Sequence, residues 1–221
     1  MTKTNKTPQK QSETDIQNTS LTPVRYLDSP CLQSPTSHDA TLATCKTRLE
    51  TLVKQLQDNY AKWQLAQQRG TAICYAIEAK KTKCLEKSED DDSSSRSTAY
   101  PDDLLLPCKK LAIIASIFGD ITNNTRETLR QLRALTKLPG AAADTIFFRS
   151  WRLAQFVAFA MELADRYEQE ALVKTQVAEN IAHCTRRTEL IAHTSLWEYP
   201  EQVDIYVKLG FLLLAEELSL K

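Results

Sequence analysis

Eight positions between residues 111 and 135 alternate three and four residues apart without interruption: Leu111, Ile114, Phe118, Ile121, Thr125, Thr128, Leu132 and Leu135. That period places all of them on one stripe of an α-helix, whereas a strand would scatter them over both faces. Sustained over more than three heptads, it predicts a coiled-coil or long-bundle helix that must bury its seam against other helices. The two threonines weaken the middle of the seam, so they either set its register or leave room for a bulky residue opposite. The helix is expected to open near Asp102 or Asp103, with Pro107 in its first turn, where a missing N–H does no harm. Leu138-Pro139-Gly140 is expected to end it. Only four glycines occur in the 221 residues, which excludes an all-β fold built on frequent glycine turns.

Two further long helices are predicted. Over residues 40–87, Leu42, Cys45, Leu49, Leu52, Leu56, Tyr60, Trp63, Gln67, Gly70, Cys74 and Ile77 form a stripe. Its four-four step at Leu52, Leu56 and Tyr60 reads as a stutter. Gly70 predicts a bend or a close helix crossing. A helix of this span would be about 70 Å long, so part of it is expected to overhang or to pair with a partner. Over residues 150–183, Leu153, Val157, Ala160, Ala164, Tyr167, Ala171 and Ala178 make one face, and Phe156, Phe159 and Leu163 a second. Two shorter helices follow, 189–197 and then 201–218 opened by Pro200. The apolar run 209–215 in the last predicts a buried packing helix or a partner surface. The fold class is therefore all-α: three long antiparallel helices in a coiled-coil-like bundle, a short C-terminal helical pair and a disordered N-terminal tail. The domain reading is a tail over 1–39, a helix over 40–87, an acidic Ser-rich linker over 88–100, and a helical region over 101–221 that completes the bundle.

The tail is rich in Thr, Ser, Gln, Asn, Lys and Pro, and buries too little apolar surface to offset its ordering entropy. It carries four Ser/Thr-Pro dipeptides, at Thr7, Thr22, Ser29 and Ser34. Thr7-Pro8-Gln9-Lys10 and Thr22-Pro23-Val24-Arg25 extend to the pattern a proline-directed, cyclin-dependent type of kinase reads, in which proline enforces extended backbone and the basic residue supplies charge. Ser88, followed by Glu89, Asp90 and Asp91, suits an acid-directed kinase, or belongs to an unmodified solvating linker.

Lys and Arg total 28, as do Asp and Glu, so no global field points to nucleic acid or an anionic membrane. No signal peptide and no membrane span are expected. The six cysteines then read as reduced thiols, and Asn123-Asn124-Thr125 as a chance match to a glycosylation acceptor. Phosphate-cradling glycine loops, CxxC pairs and Glu-x-x-His motifs are absent from the sequence. His183, Cys184 and His193 match no metal spacing. Glu162, Asp165, Glu168 and Glu170 read as a solvated helix face. The expectation is a non-enzymatic protein with no cofactor and no metal. The aromatic cluster of Ile146, Phe147, Phe148 and Trp151 either packs over the end of the bundle or holds a partner. Trp63, Trp151 and Trp197 are the foremost candidate partner contacts, because aromatic side chains dominate binding energy.

Several short segments, taken in series, resemble the cyclin-dependent kinase 2-interacting protein family. They are Phe147-Phe148-Arg149-Ser150-Trp151, the stretch from Thr175-Gln176-Val177 to Ile181-Ala182-His183, Leu196-Trp197 with Pro200, Asn59-Tyr60-Ala61-Lys62-Trp63, and Gly70-Thr71-Ala72. The match covers about residues 140–200, and the second helix departs most from it. The resemblance implies a nuclear adaptor, with a cytoplasmic pool allowed, that links cyclin-dependent kinase 2-type and Cdc7-type kinases to replication and checkpoint complexes. It also implies an accessory role beside AAA-type ATPases and a small helical partner protein, in replisome turnover or ribosome maturation, without direct nucleic-acid binding. The alternative is a structural coiled-coil subunit of cytoskeletal or kinetochore machinery.

Overall fold

The structure is a computed structural model that describes residues 36–90, 102–138, 141 and 143–218. It is built from five α-helices among those residues: α1 Thr36–Asp90, α2 Leu105–Leu135, α3 Leu153–Asn180, α4 Arg187–Glu198 and α5 Ile205–Leu218. A single 3-10 turn, Asp102–Leu104, leads into α2, and another, Ile181–His183, finishes α3. Pro107 falls in the first turn of α2, as its missing N–H requires. That helix ends at Leu135, a turn before the Leu138-Pro139-Gly140 stop.

Side-chain pairs fix the helix directions. Asn59 meets Thr125, Trp63 meets Phe118 and Lys80 meets Asp103, so α1 and α2 are antiparallel. Arg126 pairs with Glu168 and Arg133 reaches Met161, so α2 and α3 are antiparallel as well. The C-terminal pair forms one broken column that runs back along both α1 and α3. Arg187 faces Glu86 at its start, Trp197 faces Gln67 in its middle, Phe211 stacks on Tyr60, and Glu217 reaches Arg149 near its end. Among the described residues the helices form an up-down-up-down four-column bundle whose fourth column is α4 followed by α5.

The seam of α2 is buried at all eight predicted positions, joined by Ala115, Thr122 and Leu129. Opposite its threonines stand polar side chains rather than bulky apolar ones. Asn59 donates to the Thr125 hydroxyl at 3.5 Å, the long limit of a hydrogen bond, and Gln55 lies 3.5 Å from the Thr128 hydroxyl. Each hydroxyl is also satisfied by a carbonyl one turn back, at 2.8 Å and 2.9 Å.

Along α1 the buried stripe is Cys45, Leu49, Leu52, Leu56, Asn59, Trp63, Ala66, Gly70, Cys74, Ile77 and Lys81. Asn59 and Ala66, not Tyr60 and Gln67, occupy the seam. The four-four step therefore falls at Ala66, Gly70 and Cys74. There the Trp197 ring crosses α1 so closely that a Cβ on Gly70 would overlap it. From Cys45 to Lys81 this buried stripe spans about 54 Å at 1.5 Å per residue, and Leu85 packs against the core beyond it. The helix also reaches Asp90, so residues 88–90, including Ser88, lie on its last turn and not in the linker.

In α3 the seam runs Leu153, Phe156, Ala160, Leu163, Tyr167, Glu170, Lys174 and Val177, with Ala164 beside it. This corrects the reading of Val157, Ala171 and Ala178 as core face; they are half-buried at its edge. It also corrects the reading of Glu170 as solvated: its side chain is 2 % exposed. The last helix starts at Ile205 rather than at 201. Glu170 accepts the Gln202 N–H at 3.0 Å, and Asp204 caps α5 by accepting the Tyr206 N–H at 2.9 Å.

Candidate protein-interaction surface

Two buried carboxylates hold α5 and its neighbours in place. Lys174 and Glu170 pair at 2.9 Å in the core, with the lysine side chain fully buried. The Lys174 ammonium donates to the Leu196 carbonyl at 3.2 Å and the Trp197 carbonyl at 2.8 Å, satisfying C-terminal acceptors that α4 cannot pair internally. Burial lowers the pKa of Lys174, and the Glu170 carboxylate opposes that shift. Glu217, on α5, accepts the backbone N–H groups of Arg149, Ser150 and Trp151 at 2.8, 2.7 and 2.8 Å, and the Ser150 hydroxyl at 2.8 Å. Burial tends to raise its pKa, but these donors outweigh it and leave the carboxyl lowered. Glu217 thus locks the segment before α3 to the far end of α5.

Clamped in this way, α5 buries Val207, Phe211, Leu214 and Glu217. Its outward side carries Ile205, Tyr206, Leu209, Leu212 and Leu213, which are 73, 48, 52, 60 and 52 % exposed. Helix geometry makes these residues neighbours over almost the whole outer face, interrupted by Lys208 and Glu216. The burial needs of α5 itself are met by its inner face. Apart from Tyr206, which is tied to Glu162 and Arg166 of α3, the outer residues are surplus to the fold, and a contiguous patch of this kind is a candidate interaction surface.

Beside the patch, α3 and α5 frame a groove of about 290 Å³ lined by Trp151, Phe159, Tyr206, Leu209, Gly210 and Leu213, with Gln155, Ala158 and Glu162 at its margin. Gly210 is required here, because a Cβ would overlap the Phe159 ring. Tyr206 donates to Glu162 at 2.9 Å, a bond that raises the phenol pKa. The Arg166 guanidinium lies over its ring at 4.5 Å and donates to the Gln202 carbonyl at 3.0 Å. The rim is thus fixed while the floor is apolar, the usual design of a protein docking site.

Of the predicted partner contacts, Trp151, Phe147 and Phe148 are half-buried and Trp151 lines the groove. Trp151 sits edge-on to Phe156 at 5.2 Å, and Phe148 to the same ring at 6.0 Å, with Lys46 over the Phe148 face. The aromatic cluster accordingly packs over the end of the bundle and presents one edge outward. Trp63 and Trp197 are core residues, 1 and 0 % exposed. Trp63 stacks on Tyr167 at 4.4 Å, and Trp197 Nε1 donates to the Gln67 carbonyl at 3.3 Å. They have no surface to offer a partner. The apolar run 209–215, expected to be a buried packing helix or a partner surface, divides between the two: Phe211 and Leu214 pack inward, while Leu209, Leu212 and Leu213 face outward.

Thr7, Thr22, Ser29 and Ser34 lie outside the described residues. Among the described residues no group of three His, Cys, Asp or Glu side chains is placed to hold a metal ion, and no helix is long and apolar enough to cross a membrane. Burial pushes the Cys74 thiol up to about 12, too high for a thiolate at neutral pH.

The arrangement is that of a helical, protein-binding type of fold. No protein-family model matches the chain. A stretch of 74 residues is 31 % identical to the cyclin-dependent kinase 2-interacting protein of Bos taurus, covering 34 % of this chain and 33 % of the bovine protein. The aligned region thus spans about a third of that relative, and the similarity is distant and partial.

Proposed function

We propose that this chain is a non-enzymatic adaptor that binds a second protein through the outer face of α5 and the α3–α5 groove. The observation that carries the reading is the apolar outer face of α5, which the fold does not use. The distant similarity to a protein named for its interaction with cyclin-dependent kinase 2 supports placing the adaptor beside cell-cycle kinases. The Ser/Thr-Pro sites at Thr7 and Thr22 agree with that placement on independent grounds. Kinases of the cyclin-dependent kinase 2 and Cdc7 types, replication-complex components and a nuclear location complete the proposal. An accessory role beside AAA-type ATPases rests on the family resemblance alone.

The test is a pair of substitutions that leave the core untouched, Leu209→Glu with Leu212→Glu, in the full chain. Tagged wild type and variant are purified from cycling cells, and the bound proteins are compared by mass spectrometry. The proposal expects kinase or replication components on the wild type and their loss from the variant, with unchanged helicity and melting of the purified chain. Retention of the same partners by the variant refutes the assigned surface. Recovery of only cytoskeletal or kinetochore proteins refutes the adaptor role.

A further inference from the structure

The bundle carries a second apolar groove, on the side opposite α5. The columns are ordered α1, α2, α3 and α4–α5 around the bundle, so the α1–α2 seam is across from the α3–α5 seam. In it lies a groove of about 430 Å³ lined by Ala72 and Ile73 of α1, Ile113 and Ile114 of α2, and two cations, Arg69 and Lys110. Ile113 is 64 % exposed, and Leu106, seven residues earlier on the same stripe, is 61 % exposed. Leu65, four residues before Arg69, extends the apolar surface along α1. The seam therefore offers apolar side chains over several turns, on two helices, with a trough between them.

Its charge is one-sided. No carboxylate lines the groove, and among the described residues neither Arg69 nor Lys110 is in an ion pair. At one end Asp103 is paired with Lys80. At the other, Asp120 lies two turns past Ile113, and beyond it the seam becomes a polar trough of Gln55, Asp58, Asn59, Lys62 and Asn124. An apolar floor flanked by unpaired cations fits a ligand that is apolar on one side and acidic at its edges.

We propose that the α1–α2 seam docks an acidic amphipathic helix of a partner protein, with Ile73 and Ile113 taking its apolar face and Arg69 and Lys110 pairing with its carboxylates. The extent of the seam suits a helix, because Leu106 and Ile113 repeat at a seven-residue spacing that a docked helix matches turn for turn. Nucleic acid fits less well, since two cations neutralise few phosphates and the isoleucines contribute nothing to them. The inference rests on the adaptor reading only in treating the chain as a protein-binding module. A surface opposite α5 lets one chain hold two proteins at once.

The probe is a fluorescein-labelled model peptide of about 18 residues, long enough to form an amphipathic helix on a surface. It carries leucine at i, i+3, i+4 and i+7 and glutamate elsewhere; a second peptide has lysine in place of every glutamate. Anisotropy titrations with the full chain are expected to show saturable binding of the glutamate peptide, weakening with salt, and little binding of the lysine peptide. Arg69→Glu with Lys110→Glu is expected to weaken the glutamate peptide at least about tenfold and to gain the lysine peptide. Ile113→Asp, which keeps both cations, is expected to lose binding too. The Leu209→Glu, Leu212→Glu variant should bind as wild type. The inference is overturned by equal binding of both peptides, by no saturable binding, or by a single-stranded oligonucleotide that binds more tightly. Retention of the glutamate peptide by Ile113→Asp, or its loss from the α5 variant, overturns it as well. Loss confined to the α5 variant would leave the adaptor reading intact while removing this second site.

Discussion

Lys174 is the residue on which most depends. Its ammonium is shared between Glu170 and the end carbonyls of α4, all without solvent. Removing one member of a buried pair strands the other charge, so Lys174→Ala should destabilise the chain by about 3–5 kcal/mol in urea melts. Changing both partners, as Lys174→Met with Glu170→Gln, should cost much less than the two single changes summed, because no charge is left alone. An additive result would show that the pair is not coupled. Tyr167 makes the opposite case. Its hydroxyl is buried with no hydrogen-bond partner among the described residues, and burial raises its pKa well above the ordinary value. Tyr167→Phe keeps the stack on Trp63 and sheds an unsatisfied polar atom. It should be neutral or stabilise by up to about 1 kcal/mol, and a loss above that would reveal a partner for the hydroxyl. Tyr167 stood on a predicted apolar face, but neither Glu170 nor Lys174 was legible as core. A Glu–Lys pair four apart usually lies on a solvated surface. The signal was present nonetheless, because Leu163, Tyr167, Glu170, Lys174 and Val177 continue one unbroken three-four repeat. Period, not polarity, marked the buried face.

At the scale of the element, α2 was the most legible part of the chain, since apolar residues and threonine held every seam position. In α1 the sequence suggested a stutter near Tyr60, and packing placed it at Gly70, where Trp197 approaches. That approach is tertiary, and its signal in the sequence was the glycine itself, read as a bend or a close helix crossing. Helix propensity alone favours alanine over glycine by about 1 kcal/mol. Overlap with the indole ring costs about 1–3 kcal/mol, so Gly70→Ala should be net destabilising by denaturant melts, and a gain in stability would contradict the close crossing. The start of α5 was misplaced because Glu170, far back in the chain, captures the Gln202 N–H. Glu217 ties the other end of α5 to the segment before α3. Its carboxyl pKa is lowered by folding, so its contribution is complete above the unfolded value of about 4.3 and is lost as pH falls through the lower folded value. Glu217→Gln should cost about 1–3 kcal/mol at neutral pH and flatten the acid limb of stability below about pH 4. Thermal melts from neutral pH to pH 3 compare the two; parallel curves would remove Glu217 from the acid response.

The described helices form a four-column bundle with more apolar surface than its core requires. The sequence conveyed the number of helices through their period, and the antiparallel order expected of them holds among the described residues. It did not convey that α4 and α5 together make one column, because a break at 199–204 reads only as a loop until both halves are seen against α1 and α3. Nor did it separate the aromatic residues by role. Trp63, Trp151 and Trp197 are equivalent in a sequence, yet the first and last fill the core and Trp151 alone borders a groove. The binding surface emerges instead from what is left over once each helix has buried one face, and α5 has the most left over. Comparing the partners of wild type and of the Leu209→Glu, Leu212→Glu chain from cycling cells shows whether that surplus is a binding surface. Kinase or replication components should come down with the wild type and disappear with the variant, while the purified variant melts as the wild type does. An undiminished set of partners on a folded variant would contradict the assigned surface.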